Sequence, residues 1–124
     1  MVYPSHYYHA MYGVPRPNSE PYRVVRGALA DALRRNGRLP GVHAEVRPYL
    51  QAFTLGQPRY TPDHIRDQIQ AASDLGIHSW VLWNARSVYD PRIFRKGPGA
   101  SLVVMAAVPS AGTGRAGERG RLQR

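Results

Sequence analysis

The chain has 124 residues, 43% of them hydrophobic, and a formal net charge of +9, which allows one ordinary globular domain and no more. It lacks cysteine, excluding disulfides and thiolate metal sites, and its longest apolar run, "LVVMAAV" at 102–108, is far shorter than the roughly 20 residues of a membrane span. The charge does not mark a nucleic-acid face: residues 1–91 hold 10 Arg against 7 acidic residues, while residues 92–124 hold 7 Arg or Lys against one Glu, so most of it belongs to a solvated tail.

In chain order, "MVYPSHYY" reads as a strand end running into a loop. The opening residues have no basic start and no apolar stretch, so no secretory signal is expected and a cytoplasmic location is the default. The loop continues through "YGVPRPNSEP", where Pro, Gly and Asn oppose regular structure. A helix is predicted over "YRVVRGALADALRRNG", with Asn18 or Ser19 as cap and Pro21 in the first turn. Val25, Ala28, Leu29, Ala32 and Leu33 form its apolar stripe, and Asn36–Gly37 its stop.

A strand is predicted over Glu45–Phe53. A second helix follows, with Thr61 as N-cap, Pro62 at the first position and Asp63 near the positive end of the dipole. Ile65, Ile69, Ala72 and Leu75 face its core side, and Gly76 ends it. A strand over His78–Trp83 comes next. Strands alternating with helices through short links indicate βαβ units and a parallel sheet. Beyond residue 91 the composition shifts to Gly, Ala, Ser and Arg without periodicity; residues 109–124 are predicted to be disordered, and 102–108 is a strand or a helical turn.

Taken together, "MVYPSHY", "NSEPYRVV", "VRPYLQAFTLG" and "IRDQIQAASDLGIHSWVLWNARSVY" resemble the final part of the bacterial family called the putative glycosyl hydrolase domain, which is distantly similar to α-amylase-type (β/α)8 barrels. The resemblance covers roughly residues 1–90. It implies an α/β fold that is part of a TIM barrel: the last three strands with two intervening helices, followed by a disordered basic tail. The domain would occupy residues 1–91 and the unmatched tail 92–124. Two departures stand out. The family usually closes the strand motif with Gln-Asp-Phe, where this chain has Gln51–Ala52–Phe53, and it usually has Trp where this chain has Tyr49.

Enzymes on barrel folds work at the C-terminal ends of the strands. His6 and Tyr7, Gln51 and Phe53, and Trp83 and Asn84 would all reach that rim and are the candidate substrate-binding residues. Aromatic faces suit sugar C–H faces, and amides and imidazoles suit hydroxyls; His6 is placed to hydrogen-bond substrate near the reacting centre. The same residues also have a structural reading, with Phe53 and Trp83 in the core and His6 and Asn84 satisfying loop backbone. Trp80 and Leu82 read as core.

Glycoside hydrolysis ordinarily uses two carboxylates flanking the scissile bond, and no such pair is legible. Glu20, Asp31, Asp63, Asp67 and Asp74 lie in or beside helices, Glu45 enters a strand at the wrong end, Glu118 is in the tail, and Asp90 sits in the turn "YDPR". Catalytic residues are therefore unassigned. His6 and His9 lack a third convergent ligand, so no metal site is expected, and nothing calls for a cofactor. "GTGRAGERG" lacks the Lys-Ser/Thr ending of a phosphate loop.

A barrel takes about 250 residues, and this chain has three strands. The expectation is a truncated fragment, inactive by itself, whose tail follows a frameshift and whose open sheet edges invite self-association. Carbohydrate is the expected partner, through the parent domain. The alternative is a small basic module that binds nucleic acid through the Arg-rich tail.

Overall fold

The computed structural model describes residues 1–41 and 44–94. The tail readings beyond Phe94, including the run 102–108 and the stretch 109–124, lie outside the described residues. Two α-helices, α1 (Pro21–Gly37) and α2 (Pro62–Ser73), alternate with two strands, β1 (Tyr49–Gln51) and β2 (Val81–Trp83). Short 3-10 turns at Pro4–His6, Met11–Gly13, Pro17–Ser19 and Pro91–Phe94 complete the element order.

β1 and β2 pair in parallel, with Tyr49 opposite Val81, Leu50 opposite Leu82 and Gln51 opposite Trp83. The expected first strand is reduced to one parallel bridge, Val2 with Leu50, in which the Val2 N–H donates to the Tyr49 carbonyl at 2.8 Å. The order of parallel pairing thus agrees with the βαβ reading, but the strands are shorter than expected. Pro4 opens a 3-10 turn, so the first chain leaves the sheet where a longer strand would have continued it. Beyond the paired residues the Val81 N–H donates to the Pro48 carbonyl and the Ala52 N–H to the Trp83 carbonyl, both at 2.9 Å.

Alternation along the strands sorts the two faces. Leu50 and Leu82 are buried beneath the helices, in one core with Val25, Leu29, Ile65 and Ala72. Trp80 joins them at 6% exposure, as expected for a core residue, and burying a side chain such as Leu50 or Leu29 stabilises by about 1.5–3 kcal/mol. The opposite face carries Tyr49 and Trp83, which are 43% and 45% exposed. One face of this sheet is therefore packed and the other half open.

The helix ends show which local signals prevailed. Thr61 begins α2: its N–H donates to His64 Nδ1 at 3.2 Å, and Pro62 follows at the first helical position. Asp63 pairs with Arg66 one turn on. At the far end Gly76, at φ +74°, lets the Ile77 N–H return to the Ala72 carbonyl at 3.0 Å, the closing pattern expected of a glycine stop.

α1 starts differently from the expectation. Neither Asn18 nor Ser19 caps it; Glu20 is the N-cap residue and no side chain makes the cap bond. The Asn18 amide is used elsewhere, donating to the carbonyls of Leu55 at 3.0 Å and Gln57 at 2.8 Å, which ties the loop after β1 to the start of α1. Gly37 is the last residue of α1. Just before it, Asn36 holds the returning chain: its Nδ2 donates to the Ala44 carbonyl at 2.7 Å and its Oδ1 accepts the Ala44 N–H at 3.3 Å.

No helix among the described residues is long and apolar enough to cross a membrane.

Candidate functional site

Because the strands are parallel, the chain leaves each of them at the same end, and the loops carrying Ser5 and His6, Phe53–Tyr60 and Asn84–Tyr89 gather there. What each polar side chain does at this rim depends on how much of its hydrogen-bonding capacity the fold itself consumes.

Gln51 is fully committed. It is completely buried; its Oε1 accepts the Ser5 N–H at 3.1 Å and the Ser5 hydroxyl at 2.9 Å, and its Nε2 donates to the Phe53 carbonyl at 3.0 Å. Its backbone is held as well. The Gln51 N–H donates to Gln68 Oε1 at 2.9 Å, and Gln68 Nε2 donates to the Gln51 carbonyl at 2.8 Å. These backbone groups lie on the same edge as the Tyr49 carbonyl that bonds Val2. Gln68 therefore stands in for the strand that turned away at Pro4. The Gln51 side chain, through Ser5, holds the 3-10 turn that carries His6.

His6 is exposed and joins an aromatic group at the ends of the first two chains. Its ring lies 5.3 Å from that of Tyr3 and 6.5 Å from that of Phe53, and Tyr3 meets Phe53 edge-on at 5.4 Å. Tyr3 is 5% exposed, and its hydroxyl has no hydrogen-bond partner among the described residues. Burial raises its pKa, and the nearby Tyr49 and Tyr89 phenols add to that. Tyr7 takes a different direction. It lies 5.7 Å from Tyr12, in a cleft of about 380 Å³ beside Val2, Leu29, Asp31 and Arg35, which opens along α1. Burial also raises the Tyr7 pKa.

Asn84 closes the loop after β2. Its Nδ2 donates to the Ala52 carbonyl at 2.8 Å and the Val88 carbonyl at 2.9 Å, and its Oδ1 accepts the Arg86 N–H at 2.9 Å. Trp83, directly before it, is one of the exposed residues of the open face. A second cleft, of about 420 Å³, lies between the loops that follow β1 and β2, bounded by Phe53, Thr54, Arg59, Tyr60, Asn84 and Arg86. It unites two of the expected site residues, Phe53 and Asn84. His6, Tyr7, Gln51 and Trp83 do not line it.

Arg59, Tyr60 and Arg86 were not among the candidates read from the sequence. The signal that would have found them is position alone, since both arginines occupy loops that follow strands. Tyr60 stacks on His64 at 5.1 Å; its hydroxyl is covered without a partner among the described residues, and burial pushes its pKa up.

None of the described carboxylates lines this cleft, and most are in local pairs. Glu20 meets Arg23 at 2.8 Å, Asp31 meets Arg34 at 2.5 Å and Arg35 at 3.1 Å, Glu45 meets Arg47 at 3.5 Å, and Asp90 meets Arg92 at 2.6 Å. Asp74 accepts from the Tyr22 hydroxyl at 2.7 Å and from Gln70 at 2.6 Å; these bonds lower its pKa. Hydrogen bonds from the Arg92 side chain and backbone lower the Asp90 pKa to about 2. No group of three His, Cys, Asp or Glu that could hold a metal occurs among the described residues.

Parallel strands joined by helices, with loops collected at one end, define an α/β unit of the kind that binds its ligands at the strands' carboxyl ends. The family model described as putative glycosyl hydrolase domain matches residues 1–89, and the chain belongs to that family. No curated protein and no solved structure matched it.

Proposed function

We propose that residues 1–91 are a carbohydrate-binding part of a glycoside hydrolase-like (β/α)8 barrel, acting at the C-terminal ends of its strands. The observation that carries this reading is the parallel register that brings Phe53, Trp83 and Asn84 to one end, in a chain whose family is described as a glycosyl hydrolase domain. The half-open face bearing Tyr49 and Trp83 fits the inner side of a barrel, where further strands would cover it. His6, Phe53 and Trp83 are the groups proposed to touch sugar; Tyr7 lines the other cleft, along α1. Gln51 and Asn84 are proposed as positioning residues, because their amides are already engaged with Ser5, Phe53, Ala52 and Val88.

In this reading the 124 residues do not hydrolyse glycosides by themselves. None of the described carboxylates lines the cleft at the strand ends, and hydrolysis by the usual route needs two of them facing the bond. The acid and the base or nucleophile would come from additional strands. Pairing of the open sheet edge outside Val2, with such strands or with a second copy, belongs to the same reading.

The test is a hydrolysis assay on a panel of aryl glycosides. The chain alone should release no aglycone, and joining it to an upstream βα segment bearing two carboxylates should restore cleavage. Cleavage by the 124 residues alone would refute the proposal.

A second reading rests on the concentration of charge in residues 92–124, 7 basic against one acidic: a nucleic-acid-binding tail. It requires salt-dependent binding of RNA or DNA that disappears when residues 109–124 are removed. Equal binding by the shortened chain would rule it out.

A further inference from the structure

The cleft between the loops after β1 and β2 brings two arginines together. Arg23, Arg34, Arg35, Arg47, Arg66 and Arg92 each pair with a carboxylate two to four residues away. Arg59 and Arg86, like Arg16, Arg26 and Arg38, form no ion pair among the described residues, but these two flank a single cleft. No carboxylate among the described residues lines the cleft; α2 begins beside it at Pro62, and Asp63 in that first turn is paired with Arg66.

Both arginines sit on loops that the fold has already fastened. The Tyr60 N–H donates to the Thr54 hydroxyl at 3.0 Å, closing the segment that carries Arg59. Asn84 accepts the Arg86 N–H and bridges to Ala52 and Val88, closing the segment that carries Arg86. Loops held in this way lose little freedom when a ligand binds. The volume, about 420 Å³, falls at the small end of the range of ligand pockets, about 300–1,000 Å³.

We infer that this cleft binds the carboxylate of an acidic sugar, a uronic acid residue, between Arg59 and Arg86. The inference rests on the carbohydrate reading above and names its substrate class. Guanidinium groups offer paired, forked donors that match a carboxylate in geometry as well as charge. Phe53 and Tyr60, both in the lining, supply apolar surface of the kind a sugar ring's C–H face requires. A neutral sugar would make the second contact and leave both cations without a partner.

The experiment is an amide-resolved NMR titration of the full chain at low ionic strength, where exposed charges are least screened. The probes are D-glucuronate, D-glucose, a neutral glucose oligomer and inorganic sulfate. D-Glucuronate should shift Thr54, Arg59 and Arg86, with an affinity at least about tenfold above that of D-glucose. Arg59→Ala and Arg86→Ala should each weaken D-glucuronate binding roughly tenfold with an unchanged thermal melt. Equal binding of D-glucose and D-glucuronate would overturn the inference and leave the carbohydrate reading intact. So would shifts from the glucose oligomer at Trp83 or His6 with none from D-glucuronate at the cleft. Sulfate shifting Thr54, Arg59 and Arg86 while neither sugar does would overturn the acidic-sugar assignment in favour of a plain anion site. Silence toward every sugar would end both readings together.

Discussion

Gln68 offers the sharpest test of how this small sheet holds together. It is a completely buried glutamine on the core side of α2, and it supplies both the acceptor for the Gln51 N–H and the donor for the Gln51 carbonyl. Replacing it with leucine keeps the side chain's approximate size and removes both bonds. Each buried backbone group left without a partner costs about 1–3 kcal/mol. Two such groups, offset in part by the added apolar burial of leucine, give a net loss of about 3 kcal/mol. For a domain of this size, about 1 kcal/mol moves the melting midpoint by roughly 4–8 °C, so Gln68→Leu should lower it by about 12–24 °C. Urea unfolding followed by Trp fluorescence gives the free energy directly, since Trp80 sits in the core. Gln70→Leu is the control: Gln70 is exposed and bonds only Asp74, so its loss should stay within about 0.5 kcal/mol. A Gln68→Leu effect no larger than that of the control would show that the Gln51 backbone does not depend on this side chain, and the account of the shortened first strand would fail.

The two tryptophans should behave as different kinds of residue: Trp80→Ala should cost about 3–5 kcal/mol and Trp83→Ala under about 1 kcal/mol, and equal losses in urea unfolding would contradict the half-open sheet face. Gly27→Ala, which in most helices would stabilise by about 0.5–1 kcal/mol, should instead destabilise by about 1–2 kcal/mol, because an added Cβ would stand 2.6 Å from Tyr12 Cδ1 and 2.7 Å from its Cγ. The double variant with Tyr12→Ala should recover most of that loss, and a stabilised single variant would refute the packing of Tyr12 on α1. Asp90 should titrate near pH 2 when its carboxyl carbon is followed by NMR, against the usual 3.8. Since the folded value is the lower one, its stabilising contribution is present above about pH 4 and is lost as pH falls toward 2. Arg92→Ala should return the midpoint to the ordinary range, and an unmoved midpoint would exclude Arg92 as the cause.

The order of elements was legible because its signals are local. The apolar spacing around Val25 and Leu29, the Thr61–Pro62 start and the Gly76 stop act within a few residues of where they are written, and the structure has helices where those signals predict them. Trp80 and Leu82 likewise face the core as their strand pattern implies. The brief strand end before Pro4 was legible, but the start of α1 was not, for the same reason. Asn18 can cap a helix or hold a distant loop, and the choice between them is made by Leu55 and Gln57 coming within reach. Gln68 reads as a polar interruption of a helical face until the Gln51 backbone, which no strand pairs on that edge, is set beside it.

The candidate site divides in the same way. The sequence by itself determined the parallel α/β plan, and with it the end of the sheet where Phe53, Trp83 and Asn84 emerge, since strand direction follows from helix crossovers alone. Only the tertiary structure decided which of those side chains remain available. Gln51 and Asn84 are occupied in holding loops, Tyr7 turns toward α1, and Arg59 and Arg86, separated in sequence, flank one cleft with no carboxylate among the described residues to neutralise them. Partner choice among polar groups depends on distances between segments far apart in the chain, and those distances exist only once the helices have packed.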